Sequence, residues 1–211
     1  MKVKVCGITS LEQMEALQDI GADYVGIIFY EGSKRFGGEI LSGSTNEIRA
    51  LEMNKVGVFV NAPIETIQKA IADYGLSAVQ LHGNESPEVC AALLTKVTVI
   101  KAFAMADDTD IDVVVASYKQ ACSYYLFDTA TTGYGGSGRK FEWNRISKAT
   151  IGKPFFLSGG IAPEDIENVR DLKHPYLYAI DINSRFENSP GIKDLDSVET
   201  FIAQLKAQFD S

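Results

Sequence analysis

Several polar residues in this sequence stand directly behind short apolar runs, where a side chain can project from the end of a strand and do chemistry. Cys6 closes the run Val3-Lys4-Val5 and is followed by Gly7, so its thiol has room to act, once ionised, as a base or nucleophile. Asp128 follows Tyr125-Leu126-Phe127, and a carboxyl partly desolvated there suits a general acid or, equally, a cap on the following loop. Arg35, in Gly32-Ser33-Lys34-Arg35, either offers its planar fork of donors to a carboxylate or is a solvated loop arginine. His82 is a candidate polar contact or a structural histidine. Ser158-Gly159-Gly160-Ile161 and Asn183-Ser184 are turns of the kind that gather backbone N–H groups around a phosphate dianion, with glycine permitting close approach. Asp181, just before the second turn, suits a sugar hydroxyl or simply ends a strand, and Gly135-Gly136-Ser137-Gly138 reads as part of a functional loop.

Other chemistry is disfavoured. Cys6, Cys90 and Cys122 lack C-x-x-C spacing, and His82 and His174 are far apart, so neither a disulfide framework nor a zinc cluster is suggested. Cys90 and Cys122 read as small buried hydrophobes and His174 as a solvated side chain. The chain has 211 residues, with 20 Lys+Arg against 28 Asp+Glu and a formal net charge of -8, which argues against a nonspecific grip on nucleic acid. No stretch approaches the roughly 18 to 20 apolar residues of a membrane span. The start MKVKVCGITS has no apolar signal segment, and a soluble cytoplasmic protein is expected.

The elements that must carry these residues are eight short strands alternating with helical patterns. Strands are expected at Val3 to Cys6, Tyr24 to Phe29, Lys55 to Val60, Ala78 to Leu81, Val97 to Phe103, Tyr124 to Asp128, Phe155 to Leu157 and Tyr178 to Ile182. Helices are expected at Ser10 to Ile20, capped by Ser10 and ended by Gly21, and at Pro63 to Tyr74 with proline in the first turn. Two more run from Ser86, as a cap before Pro87, to Leu94 and from about Ser197 to Phe209, where Val198, Phe201, Ile202, Leu205 and Phe209 share a face. This alternation predicts a parallel eight-stranded (β/α)8 barrel forming one α/β domain over residues 1–211. An open doubly wound sheet is the rival, disfavoured because no G-x-G-x-x-G follows the first strand. In a barrel, the residues named above all fall at strand C-terminal ends, where the chemistry belongs.

Taken together, Lys4-Val5-Cys6-Gly7-Ile8-Thr9, Val79-Gln80-Leu81-His82-Gly83, Leu126-Phe127-Asp128, Gly135-Gly136-Ser137-Gly138 with Phe141 and Trp143, Leu157-Ser158-Gly159-Gly160-Ile161 and Pro190-Gly191-Ile192-Lys193-Asp194 resemble the phosphoribosylanthranilate isomerase family of tryptophan biosynthesis over nearly the whole chain. The resemblance implies a cofactor-free Amadori rearrangement of an aminoaldose to an aminoketose, with Cys6 as general base and Asp128 as general acid. It also implies a phosphate on the loops of Gly159, Gly160 and Ser184, a sugar contact from Asp181, and an anthranilate carboxylate near Arg35. The partner is then a small phosphorylated substrate, and the protein a monomer or homodimer. Two positions depart from the family pattern. Lys34 stands where proline usually precedes the arginine, which should loosen Arg35, and Arg185 stands where glycine usually follows the serine, which should restrict that backbone. Two alternatives are another phosphosugar barrel, which would need different acid and base residues, and a barrel that binds a phosphorylated ligand without turnover.

Overall fold

The computed structural model describes residues 1–106, 108–129 and 143–209, so the glycine-rich loop at 132–138 and Phe141 lie outside the described residues. Eight parallel strands close into a barrel in chain order: β1 (Lys2–Cys6), β2 (Tyr24–Ile28), β3 (Asn54–Phe59), β4 (Ala78–Leu81), β5 (Thr98–Met105), β6 (Tyr124–Thr129), β7 (Phe155–Leu157) and β8 (Leu177–Ile182). The expected barrel is the observed fold, with strand ends moved by one or two residues. Closure comes from β1, which pairs with both β2 and β8.

Alternation along the strands divides the side chains between two cores. In β1, Val3 and Val5 join the outer core with Met14 and Leu17 of helix α1 (Leu11–Ile20). Lys4 and Cys6 face the barrel interior, whose lower part is filled by Val56, Ala78, Ile100, Leu126, Phe156 and Ala179. That apolar plug closes the barrel below, so the polar residues gather above it. In register, Lys4 lies opposite Asp181 and Cys6 opposite Gly26. A Cβ at Gly26 would come within 2.8 Å of Cys6 Sγ, so the absent side chain is what gives the thiol its place.

The helices follow their sequence signals closely, with three differences in how they begin. Ser10 Oγ accepts from the Gln13 N–H at 3.2 Å and Gly21 ends α1 at φ 85°, both as expected. Pro63, however, sits at the N-cap of α3 (Ile64–Tyr74), outside the first turn. Ser86 occupies the N-cap of α4 (Pro87–Leu94) without a side-chain capping bond. The last helix, α7 (Leu195–Phe209), begins two residues earlier than expected, with Asp194 Oδ1 accepting from the Ser197 N–H at its start. Val198, Phe201, Ile202 and Leu205 form its buried face. Short helices α2 (Thr45–Ala50), α5 (Ile111–Ala116) and α6 (Ile166–Asp171) complete the described outer layer. After β8 the chain adds an antiparallel pair, β9 (Glu187–Ser189) and β10 (Ile192–Lys193), which the sequence pattern did not announce.

Cys90 and Cys122 are buried, as expected. His174 is not solvated: it is half-buried, its ring meets Phe155 edge-on at 5.1 Å, and its Nδ1 accepts from the Tyr176 N–H. Among the described residues, no helix is long and apolar enough to cross a membrane.

Candidate active site

A cavity of about 630 Å³ opens at the C-terminal end of the barrel, a size suited to a small-molecule ligand. Cys6, Arg35, His82, Asp128, Gly159, Gly160, Asp181 and Ser184 all line it, so these residues nominated from the sequence meet at one place, while the nominated glycine-rich loop lies outside the described residues. Between them stand the apolar side chains of Ile28, Val58 and Val60.

At the floor, the Lys4 ammonium donates to both carboxylate oxygens of Asp181 at 2.9 Å, and neither side chain has more than 4% exposure. Burial, the largest influence, favours the neutral amine, but the Asp181 carboxylate and the Cys6 sulfur together outweigh it and raise Lys4 above its usual range. Asp181 is therefore more than a strand terminator: it reaches the cavity with its charge already matched. Cys6 lies above this pair, and burial pushes its thiol up while the Lys4 charge opposes that effect.

Arg35 is not a solvated loop arginine. Its guanidinium forks onto Glu187, with Nε at 2.8 and 2.9 Å from the two oxygens and Nη2 at 2.7 Å from Oε2. Lys193 Nζ reaches the same carboxylate at 2.6 Å and Asn183 Oδ1 at 2.8 Å. The Ser33 turn adds a hydrogen bond from the Arg35 N–H to Ser33 Oγ, so Lys34 in place of proline leaves Arg35 firmly held. Two cations against one carboxylate leave this corner net positive, which an anion entering a protein of net charge -8 requires.

Burial would raise the Glu187 carboxyl, but hydrogen bonds from Arg35 and the charge of Lys193 outweigh it and hold the group below its usual range. Glu187→Gln should therefore cost about 2 to 4 kcal/mol, a range that allows for solvent reaching the mouth, or about 4 to 16 °C in Tm. Because the folded pKa is depressed, this contribution is present above the ordinary glutamate pKa and is lost as pH falls through the folded value. Thermal melts of both proteins should thus converge in acid; a constant difference from neutral pH down to unfolding would contradict the assignment.

His82 links two strands across the mouth. Gln80 Nε2 lies 2.7 Å from His82 Nδ1, and His82 Nε2 lies 3.3 Å from Asp128 Oδ2. With the amide donating to Nδ1, the Nε2 proton is aimed at Asp128. Asp128 Oδ1 accepts from the Thr129 N–H at 2.8 Å, which fixes the carboxyl plane at the end of β6. Gly159, at φ +95°, packs against that same end, and a Cβ there would lie 2.5 Å from Thr129 Oγ1. Only glycine lets the loop after β7 approach so closely.

Ser184 opens a single 3-10 turn, Ser184–Phe186, and Arg185 is exposed upon it. Among the described residues Asn61 is the one non-glycine at positive φ, so Arg185 brings no left-handed strain to its turn. Behind it, the β9/β10 hairpin is tied to the β1–α1 segment by Thr9 Oγ1 donating to the Gly191 carbonyl and by Gln13 Oε1 accepting from the Lys193 N–H.

Lys4, Gln80, Glu187 and Lys193 were not singled out as site residues from the sequence, and Asn183 was named there only as part of its turn. For Lys4 there was a signal: a lysine between two valines, in phase with Cys6 on the inward face of a strand. Gln80 carried the same signal, two residues before His82.

A model of the N-(5'phosphoribosyl)anthranilate (PRA) isomerase family matches residues 3–204. The N-(5'-phosphoribosyl)anthranilate isomerase of Parabacteroides distasonis is 41% identical over 207 residues, covering 97% of this chain and 93% of that protein. The crystal structure of phosphoribosyl anthranilate isomerase from Thermotoga maritima is 37% identical and superposes with a TM-score of 0.86, covering 98% of this chain and 99% of the other. A phosphoribosyl anthranilate isomerase solved in complex with reduced 1-(o-carboxyphenylamino)-1-deoxyribulose 5-phosphate is 33% identical, with a TM-score of 0.79 over 98% of this chain and 99% of the other. With a matching family model across nearly its full length and the same barrel beneath it, this chain belongs to the N-(5'-phosphoribosyl)anthranilate isomerase family.

Proposed function

We propose that residues 1–211 work as one barrel domain that converts N-(5-phosphoribosyl)anthranilate into 1-(2-carboxyphenylamino)-1-deoxyribulose 5-phosphate, the isomerase step of tryptophan biosynthesis. The observation that carries the site assignment is that Cys6 and Asp128 open into one cavity together with the Gly159-Gly160 and Ser184 turns. Asp128 protonates the furanose ring oxygen while the anilino nitrogen lone pair expels it, opening the sugar to an iminium. The Cys6 thiolate then takes the proton from the adjacent sugar carbon, and those electrons neutralise the iminium to give an enolamine, which tautomerises to the ketone. Each group supplies roughly 10² to 10⁴-fold, about 3 to 5 kcal/mol, and orientation in the cavity supplies the rest.

The two late turns take the phosphate, Ile28, Val58 and Val60 give the aromatic ring an apolar wall, and the net positive corner at Arg35 and Lys193 draws the anthranilate carboxylate. Asp181 and His82 border the sugar. The three thiols are free, which favours a reducing cytoplasmic setting, and the protein acts as a monomer or homodimer without metal or cofactor.

The test is direct. Freshly generated phosphoribosylanthranilate is mixed with the protein, and loss of its aromatic-amine fluorescence is followed; background loss with folded protein refutes the activity. The phosphate subsite has its own test. Inorganic phosphate at about ten times its Kd should raise Tm by about 3 to 6 °C. Ser184→Asp, which sets a carboxylate against the anion, should abolish that rise, and an equal rise in the variant would move the site elsewhere.

A further inference from the structure

The buried charge beneath Cys6 has no part in the proton transfers above, yet its two side chains are almost fully enclosed. Lys4 and Cys6 project from the same face of β1, two residues and roughly 6 to 7 Å apart along the strand, and Lys4 is fully buried. Its register partner Asp181 holds the ammonium from β8 with both oxygens. Below lies the apolar plug of Leu126, Phe156 and their neighbours, which closes the pair off from solvent on that side and keeps its field strong. A buried ion pair is weak evidence of stability, since apolar side chains of similar volume often serve as well. Its position directly under the base points to another use.

We propose that Lys4 is a positioning residue for the base: clamped by Asp181, its ammonium stabilises the Cys6 thiolate from beneath. The inference rests on the reading of Cys6 as general base. The charges around the thiol are Lys4 from its own strand, Asp181 from β8 and Lys193 from β10; Asp128 and His82 act on Asp181, while Glu187 and Arg35 act on Lys193. Burial and Asp181 both oppose ionisation of Cys6, and Lys4 is the larger of the two opposing cations. Without it, a thiolate would form on an apolar floor beside a carboxylate.

The experiment titrates the Cys6 thiol by its thiolate absorbance near 240 nm, as the difference between each protein and its Cys6→Ala counterpart. Burial raises Cys90 to about 12 and Cys122 to about 11, and the difference cancels both. Lys4→Met should move the Cys6 midpoint up by at least about one pH unit, a tenfold loss of thiolate at a given pH. The acid limb of the kcat profile should move by the same amount, with activity partly regained in alkali. Should Lys4→Met fail to fold because Asp181 is left unpaired, Lys4→Met/Asp181→Asn removes both charges and should shift the midpoint in the same direction by less. An unchanged midpoint in whichever variant folds, or a loss of turnover equal at every pH, overturns the proposal. Near-normal turnover in Cys6→Ala alone would instead refute Cys6 as base, and the titration would still report whether Lys4 stabilises its thiolate.

Discussion

Cys6→Ala lowers kcat by at least about a hundredfold while leaving KM within a few fold of wild type. The first number follows from the range for a positioned general base, and the second from where the thiol sits. It occupies the space above Gly26, in the wall of the cavity, while phosphate, ring and carboxylate are assigned to other walls. An interaction made only as the carbon–hydrogen bond breaks changes kcat and kcat/KM together, so the split is itself diagnostic. Cys6→Ser sharpens the test, because a hydroxyl is nearly the same shape and ionises far less readily. If serine restores turnover, shape mattered and thiolate chemistry did not; if serine and alanine are equally poor, the ionised sulfur is the base. Steady-state kinetics beside a thermal melt of each variant separates either result from misfolding.

The sequence announced this barrel because each strand is a short apolar run followed by polar punctuation, and that pattern depends on residues within a few positions of one another. The nomination of Cys6, Asp128, Gly159 and Ser184 needed only the rule that barrel chemistry sits where strands end. What stayed hidden was pairing over long separations. Lys4 meets Asp181 across 177 positions and Arg35 meets Glu187 across 152, and both contacts exist only once β8 has closed on β1. No local pattern encodes that register, so Arg35 looked free in the sequence and is forked onto a carboxylate in the fold. The expected weakness at Lys34 failed for the same reason, since the partner that steadies Arg35 lies on the far side of the chain. The β9/β10 hairpin is too short to show a period, and its glycine at φ +87° packs against Thr9, a residue from the opposite end of the sequence.

Asp128→Asn should be as damaging as removing Cys6, for a complementary reason. The amide keeps the carboxyl's shape, so it can still accept from the Thr129 N–H and remain beside His82 Nε2. It cannot deliver a proton to the ring oxygen, and without that proton the leaving alkoxide is too basic to depart. A loss of at least about a hundredfold in kcat is expected. His82→Asn should cost no more than about tenfold, because the imidazole orients the acid and Asp128 carries the proton that moves. The open-chain product tells chemistry from binding, since it no longer needs the ring opened. Asp128→Asn should bind it as tightly as wild type does, within about threefold. If the variant loses affinity for product in proportion to its loss of turnover, Asp128 is a binding residue. If His82→Asn is the more damaging substitution, the acid is the imidazole, and the 3.3 Å contact between them carries the proton in the opposite sense.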